Sequence, residues 1–173
     1  FDKATGKERW AVTVTNGMPG WGFSGSPLVE GNNVIINAGG AGCAIDKSGT
    51  RTNWSSAGKA AYSSPYAVTM GGKRTIAIAG DSSVSGVNPA DGGVLWYFKM
   101  ISGTMLDPIV SGSRVWASKA NDSSMVGSMM VDITGDGQST NLVWNNTRTG
   151  NGLNSSQLLD GHHVHLEHVA HDD

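Results

Sequence analysis

The sequence predicts an all-β chain: a partial β-propeller of four-stranded antiparallel blades, about three full blades plus flanking strands of an incomplete ring. Three observations predict it. Apolar residues come in short runs of strand length, divided by turns rich in Gly, Asn and Ser. No segment of ten or more residues carries apolar side chains at helical spacing. Four tryptophans, Trp10, Trp54, Trp96 and Trp144, recur at intervals of 44, 42 and 48 residues, which is the length of one propeller blade.

The strand-length runs are Pro27 to Glu30, Val34 to Ala38, Arg74 to Ala79, Gly93 to Phe98, Pro108 to Val110, Val115 to Ser118 and Leu142 to Trp144. Turns such as Glu30-Gly31-Asn32-Asn33 and Met70-Gly71-Gly72-Lys73 read as hairpin connections. Each of the first three tryptophans ends a similar phrase, with Asp2, Asp46 or Asn88 eight residues before it and Gly6, Gly49 or Gly92 inside it. Asp or Asn closes an Asx turn on its own backbone, and the glycine supplies a positive φ. The tryptophan then fills the wedge between neighbouring blades, its N–H directed at a backbone carbonyl. A second marker opens each unit: Ser26-Pro27, Ser64-Pro65, Asp107-Pro108 and a decayed Ser156-Gln157. Proline is tolerated at the first residue of a strand, where no ladder donor is needed. An ordinary β-sandwich with scattered tryptophans is the alternative, and two markers repeating in step disfavour it.

The expected organisation is a partial propeller over 1–168 and a tail over 169–173. It comprises an orphan outer strand at 1–14, blades at about 25–56, 63–99 and 106–146, and the start of another blade at 155–168. A longer parent chain is expected to close the ring. With 173 residues the chain can bury a real core. A formal net charge of −2 without a Lys/Arg run argues against nucleic-acid and anionic-membrane partners. The longest apolar run, Val94 to Phe98, is far too short to span a bilayer, and no signal peptide opens the sequence as given. The single cysteine, Cys43, excludes an internal disulfide.

The repeated phrases resemble the quinoprotein-type β-propeller, or pyrroloquinoline-quinone-like repeat, whose blades carry Ala-x-Asp-x-x-Thr-Gly-x-x-x-Trp. Asp2 to Trp10 is a near-complete match; the copy at Asp46 loses the Thr-Gly order, and the copy at Asn88 has Asp91-Gly92 instead. Trp21-Gly-Phe-Ser-Gly-Ser-Pro27 and Ala61-Tyr-Ser-Ser-Pro65 are similar to inter-blade phrases of bacterial envelope propellers of the outer-membrane barrel-assembly type. The resemblance implies a non-catalytic scaffold or protein-interaction module, periplasmic, outer-membrane-associated or extracellular. It implies another envelope protein as partner and no cofactor.

Loops entering the first strand of each blade gather at one mouth of a propeller channel. The binding candidates there are Trp21, Phe23, Ser24, Ser26, Tyr62, Ser63 and Asp107. The plainer reading makes the serines caps of strand-start backbone groups and Trp21 a cover for the core. The blade-docking residues are Trp10, Trp54, Trp96 and Trp144. A quinone-dependent dehydrogenase using pyrroloquinoline quinone and calcium is the first alternative. The resemblance associates those enzymes with an adjacent-cysteine disulfide that the lone Cys43 cannot form. A sugar- or peptide-binding propeller is the second alternative.

Asp132 and Asp136 are weak metal candidates, since alternate oxygens at 132, 134 and 136 suit a hard cation. The final carboxylate of such a loop is replaced by Thr140, and Asp136, eight residues before Trp144, is expected in the Asx-turn slot. All five histidines crowd the last twelve residues, and none stands elsewhere to act as a base beside a serine nucleophile.

Overall fold

The computed structural model describes residues 1–100, 106–119, 127–135, 137–147 and 156–164. Three antiparallel sheets of four strands follow one another along the chain. The first holds β1 (Leu28–Glu30), β2 (Asn33–Ile36), β3 (Cys43–Asp46) and β4 (Thr52–Ser55). The second holds β5 (Tyr66–Met70), β6 (Lys73–Ala79), β7 (Ser83–Val87) and β8 (Val94–Lys99). The third holds β9 (Ile109–Ser111), β10 (Arg114–Lys119), β11 (Gly127–Thr134) and β12 (Ser139–Asn146). A hairpin of β13 (Gln157–Leu159) and β14 (His162–Val164) ends the described chain. Within each sheet the strands lie in sequence order, the meander that defines a propeller blade. The arrangement is open: a partial β-propeller.

The runs read from sequence fall within or beside β1, β2, β6, β8, β9, β10 and β12. Residues 1–14, expected as an orphan outer strand, form no strand, because no other described segment supplies a ladder. The tail at 169–173 and most of the histidines lie outside the described residues.

Side-chain alternation explains why the blades stack. On β6, Ile76 and Ile78 face the first sheet and pack with Ile35, Ala41, Ala44, Trp54 and Val87. Ala77 and Ala79, on the opposite face, join Trp96 and Phe98 against Val115, Ala117, Val131 and Ile133 of the third sheet. The middle sheet is therefore buried on both faces, and the period-2 pattern of β6 sorts its side chains between two interfaces. On the far face of the first sheet, Ala38, Cys43 and Ile45 are covered by Val14, Phe23 and Ile36.

The tryptophans lock successive units together. Trp10 donates its indole N–H to the Lys47 carbonyl at 3.1 Å, and Trp54 donates to the Pro89 carbonyl at 3.1 Å. Each acceptor directly follows the Asx residue of the next unit's turn. The ring of Trp54 lies against Gly92, where a Cβ would stand 2.6 Å from Cδ2, and Trp10 covers Gly49 in the same manner. Glycine is needed here twice over, for φ +73° at Gly92 and for the flat seat under the indole.

Trp96 is buried differently. It lies on Gly86, its own cross-strand partner, and its Nε1 has no hydrogen-bond partner. Register supplies the reason. Trp54, Trp96 and Trp144 pair with Ala44, Gly86 and Met130, and a bulge follows each of those three residues. Two residues further on stand Asp46, Asn88 and Asp132. Asp132, rather than Asp136, therefore occupies the Asx slot of the third blade. There the ladder continues to the pair Thr134 and Ser139, replacing the tight turn that offers a carbonyl to Trp10 and Trp54. Asp136 itself lies outside the described residues. Trp144 is 38% exposed and Trp10 37%, against 8% for Trp54 and 2% for Trp96.

Trp54→Ala is expected to cost about 3–5 kcal/mol in denaturant unfolding, as for a large side chain deleted from a packed interface. Gly92→Ala should destabilise more than Gly6→Ala. Both glycines have positive φ, yet a Cβ at Gly6 meets nothing within 4 Å. Equal losses for the two would mean that the indole seat contributes nothing.

Candidate functional site

The strand-start markers meet one another across the blades. Ser26 donates its backbone N–H to Ser64 Oγ at 3.0 Å, and Ser64 donates its own to Asp107 Oδ1 at 2.6 Å. The side chain that precedes the proline in one blade thus caps the same backbone position in the blade before it. Short oxygen-bearing side chains recur at this position because only they reach an N–H that no ladder satisfies.

Below this relay, Ser63 is buried. Its Oγ donates to the Ala79 carbonyl at 3.3 Å and accepts from Asn37 Nδ2 at 3.1 Å. The Asn37 amide also donates to the Ser63 and Ala79 carbonyls, at 2.9 and 2.8 Å, and so bridges the first sheet to the second. Ser24 Oγ donates to the Tyr62 carbonyl at 3.3 Å. Phe23, half-buried, packs against the first-sheet cluster. Of the seven mouth candidates, Ser63 and Phe23 bond or pack within the fold, Ser24 donates to the following loop, Asp107 accepts from the preceding one, and Ser26 keeps its hydroxyl free of described partners.

Trp21 and Tyr62 form an aromatic pair among these candidates. Trp21 is 75% exposed, its ring centroid 5.4 Å from that of Tyr62 with the planes tilted by 34°. The Trp21 backbone N–H donates to Tyr62 Oη at 3.2 Å, which fixes the pair.

The charged groups are architectural too. Arg74 makes a two-pronged ion pair with Glu30, Nε to Oε1 at 2.8 Å and Nη2 to Oε2 at 2.7 Å, joining the first sheet to the second. The guanidinium holds the Glu30 carboxyl below its ordinary value of 4.5. The Ser48 hydroxyl and backbone N–H lower Asp46, and the Thr5 hydroxyl and N–H lower Asp2, each within an Asx turn. Burial pushes the Cys43 thiol up, which suppresses the reactive thiolate. Asp132 accepts a hydrogen bond from Ser113 Oγ. Among the described residues no group of three His, Cys, Asp or Glu is placed to hold a metal ion, and no helix is long and apolar enough to cross a membrane.

Sequence reasoning missed Asn37 and the Glu30–Arg74 pair. Asn37 sits in a Gly-rich stretch where asparagine reads as an ordinary turn residue, and Glu30 and Arg74 stand 44 positions apart without a shared motif.

Four-stranded meanders repeated in sequence order, fastened by tryptophan at one end and by serine or aspartate at the other, define a β-propeller repeat protein. The chain belongs to the family described as outer membrane protein assembly factor BamB, which it matches over residues 1–172. Among solved structures, BamB from Moraxella catarrhalis is similar, with a TM-score of 0.53 at 12% identity. That match covers 80% of this chain and 42% of the other, so the chain spans well under half of that protein's length. No curated protein matches the sequence closely enough to add to these.

Two outcomes are expected from this geometry. Asp107→Ala should cost about 1–3 kcal/mol, because the Ser64 N–H loses its acceptor, and Asp107→Asn should recover part of it through the amide oxygen. Thermal unfolding of both variants checks this. Because Glu30 is lowered in the folded state, its contribution is complete above about pH 4.5 and is lost as pH falls through the lowered value. Glu30→Gln should flatten the decline of stability with acid in that window; an unchanged profile would leave the pair without a role in acid sensitivity.

Proposed function

We propose that the chain is part of a non-catalytic propeller scaffold of the bacterial cell envelope, holding a rigid surface toward an outer-membrane assembly protein. The observation that carries this reading is the relay Ser26–Ser64–Asp107, which places oxygen-bearing side chains of the mouth on neighbouring backbone N–H groups. Asp107 Oδ1 is engaged in capping the Ser64 N–H, which fits a structural part for this carboxylate. Membership of the assembly-factor family supports the envelope setting and the protein partner. No cofactor is part of the reading.

Pyrroloquinoline quinone with calcium, titrated calorimetrically into the full chain, tests the proposal. The expected result is no saturable heat, together with site-specific cross-linking of the chain to an outer-membrane assembly protein in envelope preparations. Stoichiometric quinone binding would overturn it in favour of a dehydrogenase.

A further inference from the structure

Asn16 and Gly17 form one of two Asn-Gly pairs in the chain; the other, Asn151-Gly152, lies outside the described residues. The pair sits in a turn ahead of the first blade, and each residue is there for a structural reason. Asn16 Nδ2 donates to Ser55 Oγ at 2.9 Å and to the Ser56 carbonyl at 2.6 Å, latching the turn to the end of β4. The main chain is held as well. The Gly39 N–H donates to the Asn16 carbonyl at 2.9 Å, and the Ala60 N–H donates to the Gly17 carbonyl at 2.8 Å. Gly17 has φ +61° and a Cβ there would collide with the Gly58 carbonyl, so glycine is required.

Packing thus demands the dipeptide in which an asparagine side chain is most open to attack by its own backbone. The Gly17 nitrogen, unhindered by a side chain, bonds to Asn16 Cγ. As that bond forms, the nitrogen's proton passes by way of water to the departing Nδ2, and the Cγ–Nδ2 bond breaks to release ammonia. Water then opens the cyclic imide, at Cγ to leave aspartate or at the main-chain carbonyl to leave isoaspartate. The nucleophile itself is available. The Gly17 N–H bonds to no described residue, whereas that of Gly92, after Asp91, is taken by the Asn88 carbonyl at 2.9 Å. What the folded chain withholds is geometry. Ring closure needs the carboxamide to turn toward Gly17 and the backbone to rotate about that nitrogen, and the four bonds of the turn oppose both.

We propose that Asn16 is a modification site guarded by its own latch: it deamidates when the turn opens, and the product does not relatch. An aspartate at position 16 loses both Nδ2 donations and sets a carboxylate against the Ser56 carbonyl oxygen, which repels it. An isoaspartate also lengthens the main chain by one atom where Gly17 must meet Gly58. A transient opening therefore becomes permanent. The site is separate from the protein-scaffold reading and stands or falls without it.

The full chain is incubated at mildly alkaline pH with and without guanidinium chloride. Conversion at position 16 is followed by peptide mass spectrometry and by isoaspartyl methyltransferase labelling. The native reaction should be at least about tenfold slower than the denatured one, because it tracks the population of the open turn. Ser55→Ala should speed the native reaction about threefold to tenfold, on the scale of one lost hydrogen bond, and leave the denatured rate unchanged. Asn16→Asp, as a mimic of the product, should raise hydrogen exchange at the Gly39 and Ala60 amides, which donate to the turn, and leave β6–β7 unaffected. Equal rates with and without denaturant, no effect of Ser55→Ala, or unchanged exchange at Gly39 and Ala60 in Asn16→Asp would each overturn the proposal.

Discussion

An indole lying on the turn glycine of the following unit is the contact on which the rest of this structure depends. A single four-stranded sheet has two faces and too little area to bury either alone. The tryptophan addresses that locally. It carries a large apolar surface across the gap between sheets and ends in an N–H that meets a carbonyl the Asx turn leaves free. Trp10 on Gly49 and Trp54 on Gly92 repeat this geometry, with matching 3.1 Å bonds to the carbonyls of Lys47 and Pro89. Pro89 is a fitting acceptor for a second reason: its carbonyl also receives Asn33 Nδ2 at 3.0 Å, so one turn residue gathers two donors from the neighbouring blade.

The second fastening lies among the strand starts. Ser26, Ser64 and Asp107 form a chain of caps in which each blade satisfies the backbone of the one before it. The first two blades are fastened by both devices, and the second and third by the Ser64–Asp107 cap and apolar packing, so the strand-start loops are tied to one another. That spacing is what the scaffold proposed above would require. It also explains how Trp21 can be both exposed and well placed, since it rests on Tyr62 of a neighbouring loop that is itself anchored through Ser63, Ser64 and Asp107.

Much of the fold was legible because the repeat writes its mechanics into spacing. Asp or Asn, glycine and tryptophan stand at fixed offsets, since the turn, the seat and the wedge are one device. Two kinds of information were not legible. One is register: counting back eight residues from Trp144 points to Asp136, whereas the pairing of Trp144 with Met130 puts Asp132 in the slot. A lengthened hairpin shifts the count without altering the residue types. The other is contact across sheets. Nothing near Trp96 announces that Gly86 opposite it admits the indole onto its own sheet, and nothing near Asn37 announces that its amide reaches Ala79. Among the mouth residues, hydroxyl and aromatic types could be named, but which were committed to backbone caps and which were left to solvent depended on the neighbouring blade.

The central claim is that the tryptophan couples neighbouring blades rather than merely filling its own sheet. Native-state hydrogen exchange on the chain and on Trp54→Ala tests it most directly. The account predicts that protection falls together in β3–β4 of the first sheet and in β6–β7 of the second, which share the cluster around Trp54. Loss of protection confined to β3–β4, with β6–β7 unchanged, would contradict it.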